Sequence, residues 1–177
     1  MICWERCGES GYVGVLSRSE IDVLQSYVIG LLILVEHRTA SHTVIAVVAG
    51  REVRVPAAVT EDPRILAILE NELGEDEPDW VLAVGEEQCL LSARGSLQLM
   101  SSTLPETGGV VRLRSRDEAG AWLRSIRFFL STIAVVADSE GRVKGKDVAP
   151  TVTWLCEVSG TLRSAVARTV IAARPAC

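Results

Sequence analysis

The segment Glu86-Glu87-Gln88-Cys89 comes nearest in this chain to setting an acid, a base and a nucleophile side by side. On a helix, Glu86 and Cys89 stand at i and i+3 on one face. A nucleophilic cysteine needs its thiolate favoured by a histidine, a cation or a helix N-terminus. Two carboxylates do the opposite, so the segment reads as a helix with one buried Cys and a solvated charged edge. Cys156 follows Trp154-Leu155 in the first turn of the expected last helix, where the helix dipole would favour a thiolate. Adjacent Glu157 opposes that, and free cysteines are commonly buried, so a core thiol is expected. His37 and His42 are the only histidines. They fall at the end of the first helix and in the loop after it, and a zinc ion would need two more ligands that no spacing supplies. The expectation is no metal, no cofactor and no catalytic constellation, which favours a non-enzymatic protein over an enzyme without deciding between them.

Charge offers candidates for binding instead. Every charged residue from Glu70 to Glu87 is acidic, whereas Arg112, Arg114, Arg116, Arg124 and Arg127 gather later, broken by Asp117 and Glu118. The two clusters either pair across the domain and face water, or they form a docking surface. Arginine beside Trp or Phe is the composition of interface hot spots, and Arg can also hold a carboxylate or phosphate. Trp122, Phe128, Phe129 and Trp154 are either core or the lining of a pocket between the fourth and fifth helices that takes a small apolar ligand. The binding candidates are therefore Arg112, Arg114, Arg124 and Arg127 with Trp122 and Trp154. Gly8, Gly11 and Gly14 lack the strand before and the helix start after that a phosphate loop requires, and are expected to bend a strand.

The elements that must position these residues are announced by a phrase used twice. Tyr12-Val-Gly-Val-Leu16 runs into Ser17-Arg-Ser-Glu20, and Val110-Val-Arg-Leu-Arg114 into Ser115-Arg-Asp-Glu118. Each is an extended stretch, a capping box and a helix, which predicts two strands that could pair, near 12–16 and 110–114. The first helix is expected from Ser19 to Arg38, with Ile21, Leu24, Val28, Leu31 and Val35 as its seam. Its run Val28–Val35 is too short to span a membrane, which takes about 20 apolar residues, and reads as a helix buried on most of its faces. Thr43 to Val55 is either a hairpin turning at Ala49-Gly50 or an ordered loop.

Asp62-Pro63 opens a second helix that Gly74 stops. A third runs from Asp79 to Thr103, weakened by Gly85 and Gly95. The fourth carries Ala119, Trp122, Leu123, Ile126, Leu130 and Ile133 on one face. Asp138 to Asp147 reads as a flexible loop. The last helix, Thr151 to Ala172, turns Leu155, Val158, Leu162, Val166 and Val170 inward. No linker divides the chain, so the expected fold is mainly α: one helical domain over residues 1–177, a bundle of about five helices with a small two-stranded β element.

At 177 residues and 48% hydrophobic, the chain has length for a real core. A net charge of -5 leaves no basic excess for non-specific nucleic-acid binding. The five cysteines are odd in number and scattered, which reads as free thiols in a reducing cytoplasm, and no secretory signal is evident. The expected partners exclude nucleic acid and membrane. They include a protein, with a small apolar ligand or a second copy as further possibilities.

Trp4-Glu-Arg-x-Gly8, the following strand, Glu20 and the leucine-rich helix resemble the start of an actinobacterial domain-of-unknown-function family, whose genes often sit beside that for the Clp protease adaptor. Glu61-Asp-Pro-Arg64 is similar to its acidic helix opening. Asp117-Glu-Ala-Gly-Ala-Trp-Leu-Arg-Ser-Ile-Arg127 resembles its Glu-Ala-x-x-Trp-Leu-x-x-Leu-x-x-x-Arg signature, and Thr153-Trp-Leu155 its closing helix. After Trp122-Leu123 the family continues with a polar Asn-Asp-x-Arg stretch. This chain continues as Phe128-Phe-Leu-Ser-Thr-Ile-Ala-Val-Val136 instead. The resemblance implies a soluble helical accessory protein with no assigned activity. Two functions are carried forward: an interaction module docking through Arg112–Arg127 or Glu70–Asp79, and a small-molecule binder or cofactor-free enzyme with an aromatic-lined pocket.

Overall fold

The computed structural model describes residues 4–8, 11–42, 44–48, 50–56, 58, 60–74, 77–139 and 148–172. Cys3, Cys177 and positions 140–147 of the expected flexible loop lie outside them. In chain order the elements are β1 (Glu5–Cys7), β2 (Gly11–Leu16), α1 (Arg18–Ala40), β3 (Val44–Val48), β4 (Arg51–Val55), α2 (Pro63–Leu73), α3 (Asp79–Thr103), β5 (Gly109–Leu113), α4 (Arg116–Ser139) and α5 (Ala149–Ala172). The five helices and the paired β2 and β5 are those the sequence predicts, and the stretch left open between a hairpin and a loop is a hairpin, β3 against β4. Asp138 and Ser139, expected in the loop, extend α4.

β2 pairs antiparallel with β5, Tyr12 opposite Leu113 and Leu16 opposite Gly109. The β element has a third strand that the sequence did not announce: β1 lies on the other side of β2, with Glu5 opposite Val13, so the order is β1-β2-β5. Gly8 makes the turn at φ +71, a conformation that L side chains resist. Gly14 makes room for a neighbouring ring. A Cβ there would meet the Trp4 ring at 2.9 Å, so the missing side chain is what lets Trp4 lie against the strand. Trp4 then meets Trp122 edge-on, with ring centroids 5.4 Å apart and planes at 76°, a preferred aromatic geometry.

One contiguous core joins β2, β5 and all five helices. α4 is its centre: Ser125, Phe128, Phe129 and Thr132 are buried beside the expected face. By length and composition Arg116–Ala137 could cross a membrane, yet half of that apolar stretch is enclosed by the protein itself. The expectation that α1 is buried on most faces fails. Its seam Ile21, Leu24, Val28, Leu31 and Val35 is buried as expected, but Ile29 and Ile33, on its other side, are 56% and 63% exposed. Among the described residues, neighbours cover the seam and partly its flanks at Tyr27, Leu32 and Leu34, and leave Ile29 and Ile33 out.

The first capping box forms as read. The Glu20 N–H donates to Ser17 Oγ at 3.3 Å and the Ser17 N–H to Glu20 Oε2 at 2.7 Å. At the second, the Glu118 N–H donates to Ser115 Oγ at 3.1 Å, but the Glu118 carboxylate reaches one residue further back, to the Arg114 N–H at 2.7 Å. Glu20 has a further duty, since Trp154 Nε1 donates to its Oε1 at 2.7 Å and so ties α5 to the start of α1. Burial opposes ionisation of Glu20, but the hydrogen bonds from Ser17 and Trp154 outweigh it and hold its carboxyl below the ordinary 4.5. A lowered folded pKa stabilises above the unfolded value, and the contribution is lost as pH falls through the folded one. Glu20→Ala should therefore cost about 1–2 kcal/mol at neutral pH. In urea unfolding, its gap from wild type should close only below about pH 4.5, the ordinary glutamate range.

Candidate functional site

The best catalytic candidates of the sequence are spoken for. Glu86 does not lie on a solvated edge: its side chain is 1% exposed. It is held by donors from two side chains, Arg38 and His42. Arg38, near the end of α1, donates from Nε to Glu86 Oε1 and from Nη2 to Oε2 at 3.1 Å. His42 Nε2 lies 3.1 Å from the same Oε1. Facing a carboxylate, that nitrogen carries the proton, which leaves Nδ1 as a buried atom without a hydrogen-bond partner. Arg38 Nη2 also donates to the Ala58 carbonyl at 2.8 Å. The cluster therefore ties α1, α3 and the segment after the hairpin β3–β4 together. Glu87 is spent similarly, accepting from the Arg54 N–H of β4 at 3.1 Å.

Cys89 is buried as expected, and its thiol is pushed up to about 11, first by burial and then by the charges of Glu72 and Glu86. A nucleophile needs the opposite shift. Cys156 corrects the expectation of a core thiol: it is exposed. α5 begins at Ala149, so Cys156 lies beyond its first turn, where the dipole's influence has faded. Among the described residues no group of three or more His, Cys, Asp or Glu could hold a metal ion.

The arginine cluster divides into two. Arg124 turns to α3, its Nη1 donating to Ser92 Oγ at 2.9 Å, and Arg127 pairs with Glu72 of α2 at 3.2 Å. The acidic and basic runs thus meet across the domain at that point. Arg112 and Arg114 stay exposed on β5 and just after it. On β2 and β5, Tyr12, Leu16, Val111 and Leu113 face the core. The outward residues form two cross-strand pairs, Val13 with Arg112 and Val15 with Val110. Val15 is 62% exposed and Val110 47%.

The aromatic candidates serve the interior. Trp122, Phe128 and Phe129 are fully buried, and Trp122 Nε1 donates to Thr103 Oγ1 at 2.7 Å. Trp154, half-buried, lines a shallow hollow beside Pro150 and Ser19. A larger opening, about 390 Å³, lies between α1, α4 and the start of α5. Its walls are aliphatic, with Leu31, Ile133, Val136 and Val148, and Tyr27, Ser26 and Arg64 add polar groups. Arg64 is already bound to Asp62, Nη2 to Oδ2 at 2.8 Å.

A small helical bundle with a three-stranded sheet is the class that the structure defines. The chain belongs to the family described as Domain of unknown function (DUF2017), which matches residues 1–166. No curated protein and no solved structure matches it.

Sequence reasoning missed the Arg38–Glu86–His42 cluster, whose members are 44 and 48 residues apart and share no motif. Removing one partner of a buried ion pair strands the other. Glu86→Ala should cost about 3 kcal/mol or more in denaturant unfolding, well beyond a surface substitution. Thiol alkylation at pH 8 should label Cys7 and Cys156 in the folded protein and leave Cys89 unmodified until it unfolds.

Proposed function

We propose that this protein is a non-enzymatic interaction module, an accessory protein that engages a protein partner through the outer face of its sheet. The observation that carries the reading is the exposed Val15–Val110 pair beside Arg112 on β5. Among the described residues, β5 is paired on one side only. An edge strand with exposed valines suits the addition of an extended segment, whose backbone supplies the hydrogen bonds and whose acidic side chains meet Arg112. Arg124 and Arg127, which the sequence suggested for the same surface, already have partners within the domain and are left out of it.

The reading includes a cytoplasmic setting, supported by the free thiols Cys7, Cys89 and Cys156. An actinobacterial source and a gene neighbourhood beside the Clp protease adaptor belong to the same proposal, and they name the first partner to try. A tagged wild-type protein should retain a companion from its host's lysate. Val110→Glu with Arg112→Glu should lose it while the melting temperature stays within about 3 °C, as for exposed sites generally. Retention by the folded double variant overturns the reading.

A second reading, a small-molecule binder, has the 390 Å³ aliphatic opening in its favour. It moves the pocket expected around Trp122 to the α1 side of α4. Small apolar ligands should then raise the melting temperature of wild type but not of Val136→Trp, whose larger side chain fills the space. No shift with any ligand counts against it.

A further inference from the structure

We propose that the outer face of α1 is a self-association surface, and that two copies of the chain pack α1 against α1 antiparallel about a two-fold axis. Between Asp22 and Glu36 the helix carries no charged residue. A helix that is apolar all round is ordinarily enclosed all round, yet Ile29 and Ile33 stand 56% and 63% exposed, one turn apart. Beside them Ser26 and Gly30 are exposed and small. A Cβ placed on Gly30 would find nothing within 4 Å, so that spot is open to another molecule. Ser26 brings no unpaired donor to the surface, because its hydroxyl donates to the Asp22 carbonyl at 2.8 Å.

The pattern along this stripe is what singles out a second copy as the occupant. In an isologous antiparallel pair centred between Ile29 and Gly30, each residue meets the one whose number completes 59. Ile29 then lies over Gly30 of the partner subunit, and Ile33 over Ser26, so each large side chain has a small one opposite. At both ends Asp22 meets His37, a carboxylate against an imidazole N–H. Asp22 and His37 are both exposed and stand equally far from the centre, about 11 Å at the helical rise. Every contact occurs twice. A different protein or a lipid surface would not require this mirror relation between large and small, acceptor and donor.

Sedimentation velocity on the full chain across ~1–100 µM is the test. Wild type should sediment as a dimer in that range. Ile33→Asp, at an exposed position, should sediment as a monomer with unchanged circular dichroism and melting temperature. Asp22→Lys should weaken association about tenfold or more, and adding His37→Glu should restore it, since the swapped pair joins opposite charges across the same contact. A wild-type monomer at the highest concentration overturns the proposal. So does a dimer that survives Ile33→Asp, or a double variant no better than Asp22→Lys. Flotation of a monomeric wild type with phosphatidylglycerol vesicles would assign the face to a lipid surface instead.

Discussion

A single carboxylate that must not be left alone in the interior governs how this molecule is arranged. Glu86 lies on α3 with almost no exposure, and an uncompensated charge there would cost several kcal/mol. Arg38 and His42 come to it from the end of α1, and the Ala58 carbonyl is drawn in through Arg38. This pins the rotation of α1 about its axis. With Arg38 held towards α3, the seam from Ile21 to Val35 faces the core and Ile29 and Ile33 must face out. At the other end of α1, Glu20 gathers Ser17 and Trp154 and fixes its start against α5. The exposed apolar stripe is therefore a consequence of the buried polar anchor.

The same economy engages the residues whose types first suggested chemistry. Glu86, Glu87, Trp122 and Trp154 all have partners within the fold, and the Cys89 thiol is held in its unreactive form. What the fold does not use is outside: the valines and Arg112 of the sheet, and the stripe on α1. These two surfaces lie on separate elements, the strands β2 and β5 and the helix α1.

Local signals in the sequence were sufficient for the five helices and for the strands β2 and β5. Ser17 and Glu20 announced α1, and Asp62-Pro63 announced α2, because caps are made by residues two or three apart. β1 escaped because three residues of Glu-Arg-Cys show no alternation, and only Gly8 and the buried Trp4 hint that the chain turns back there. The anchor at Glu86 escaped because its partners come from α1 and the residue pair after it, at a distance only the tertiary fold closes. Hydropathy marked α1 as a helix that is covered on most of its faces. It could not say whether the cover comes from this chain or another, and α4, with more polar residues along its length, supplies the centre of the core.

The central claim is that this domain works by associating, and native mass spectrometry on protein captured gently from its own host tests it most directly. The account predicts a homodimer carrying a protein companion in fixed stoichiometry. A bare monomer carrying a small-molecule adduct would contradict it and move attention to the opening between α1 and α4.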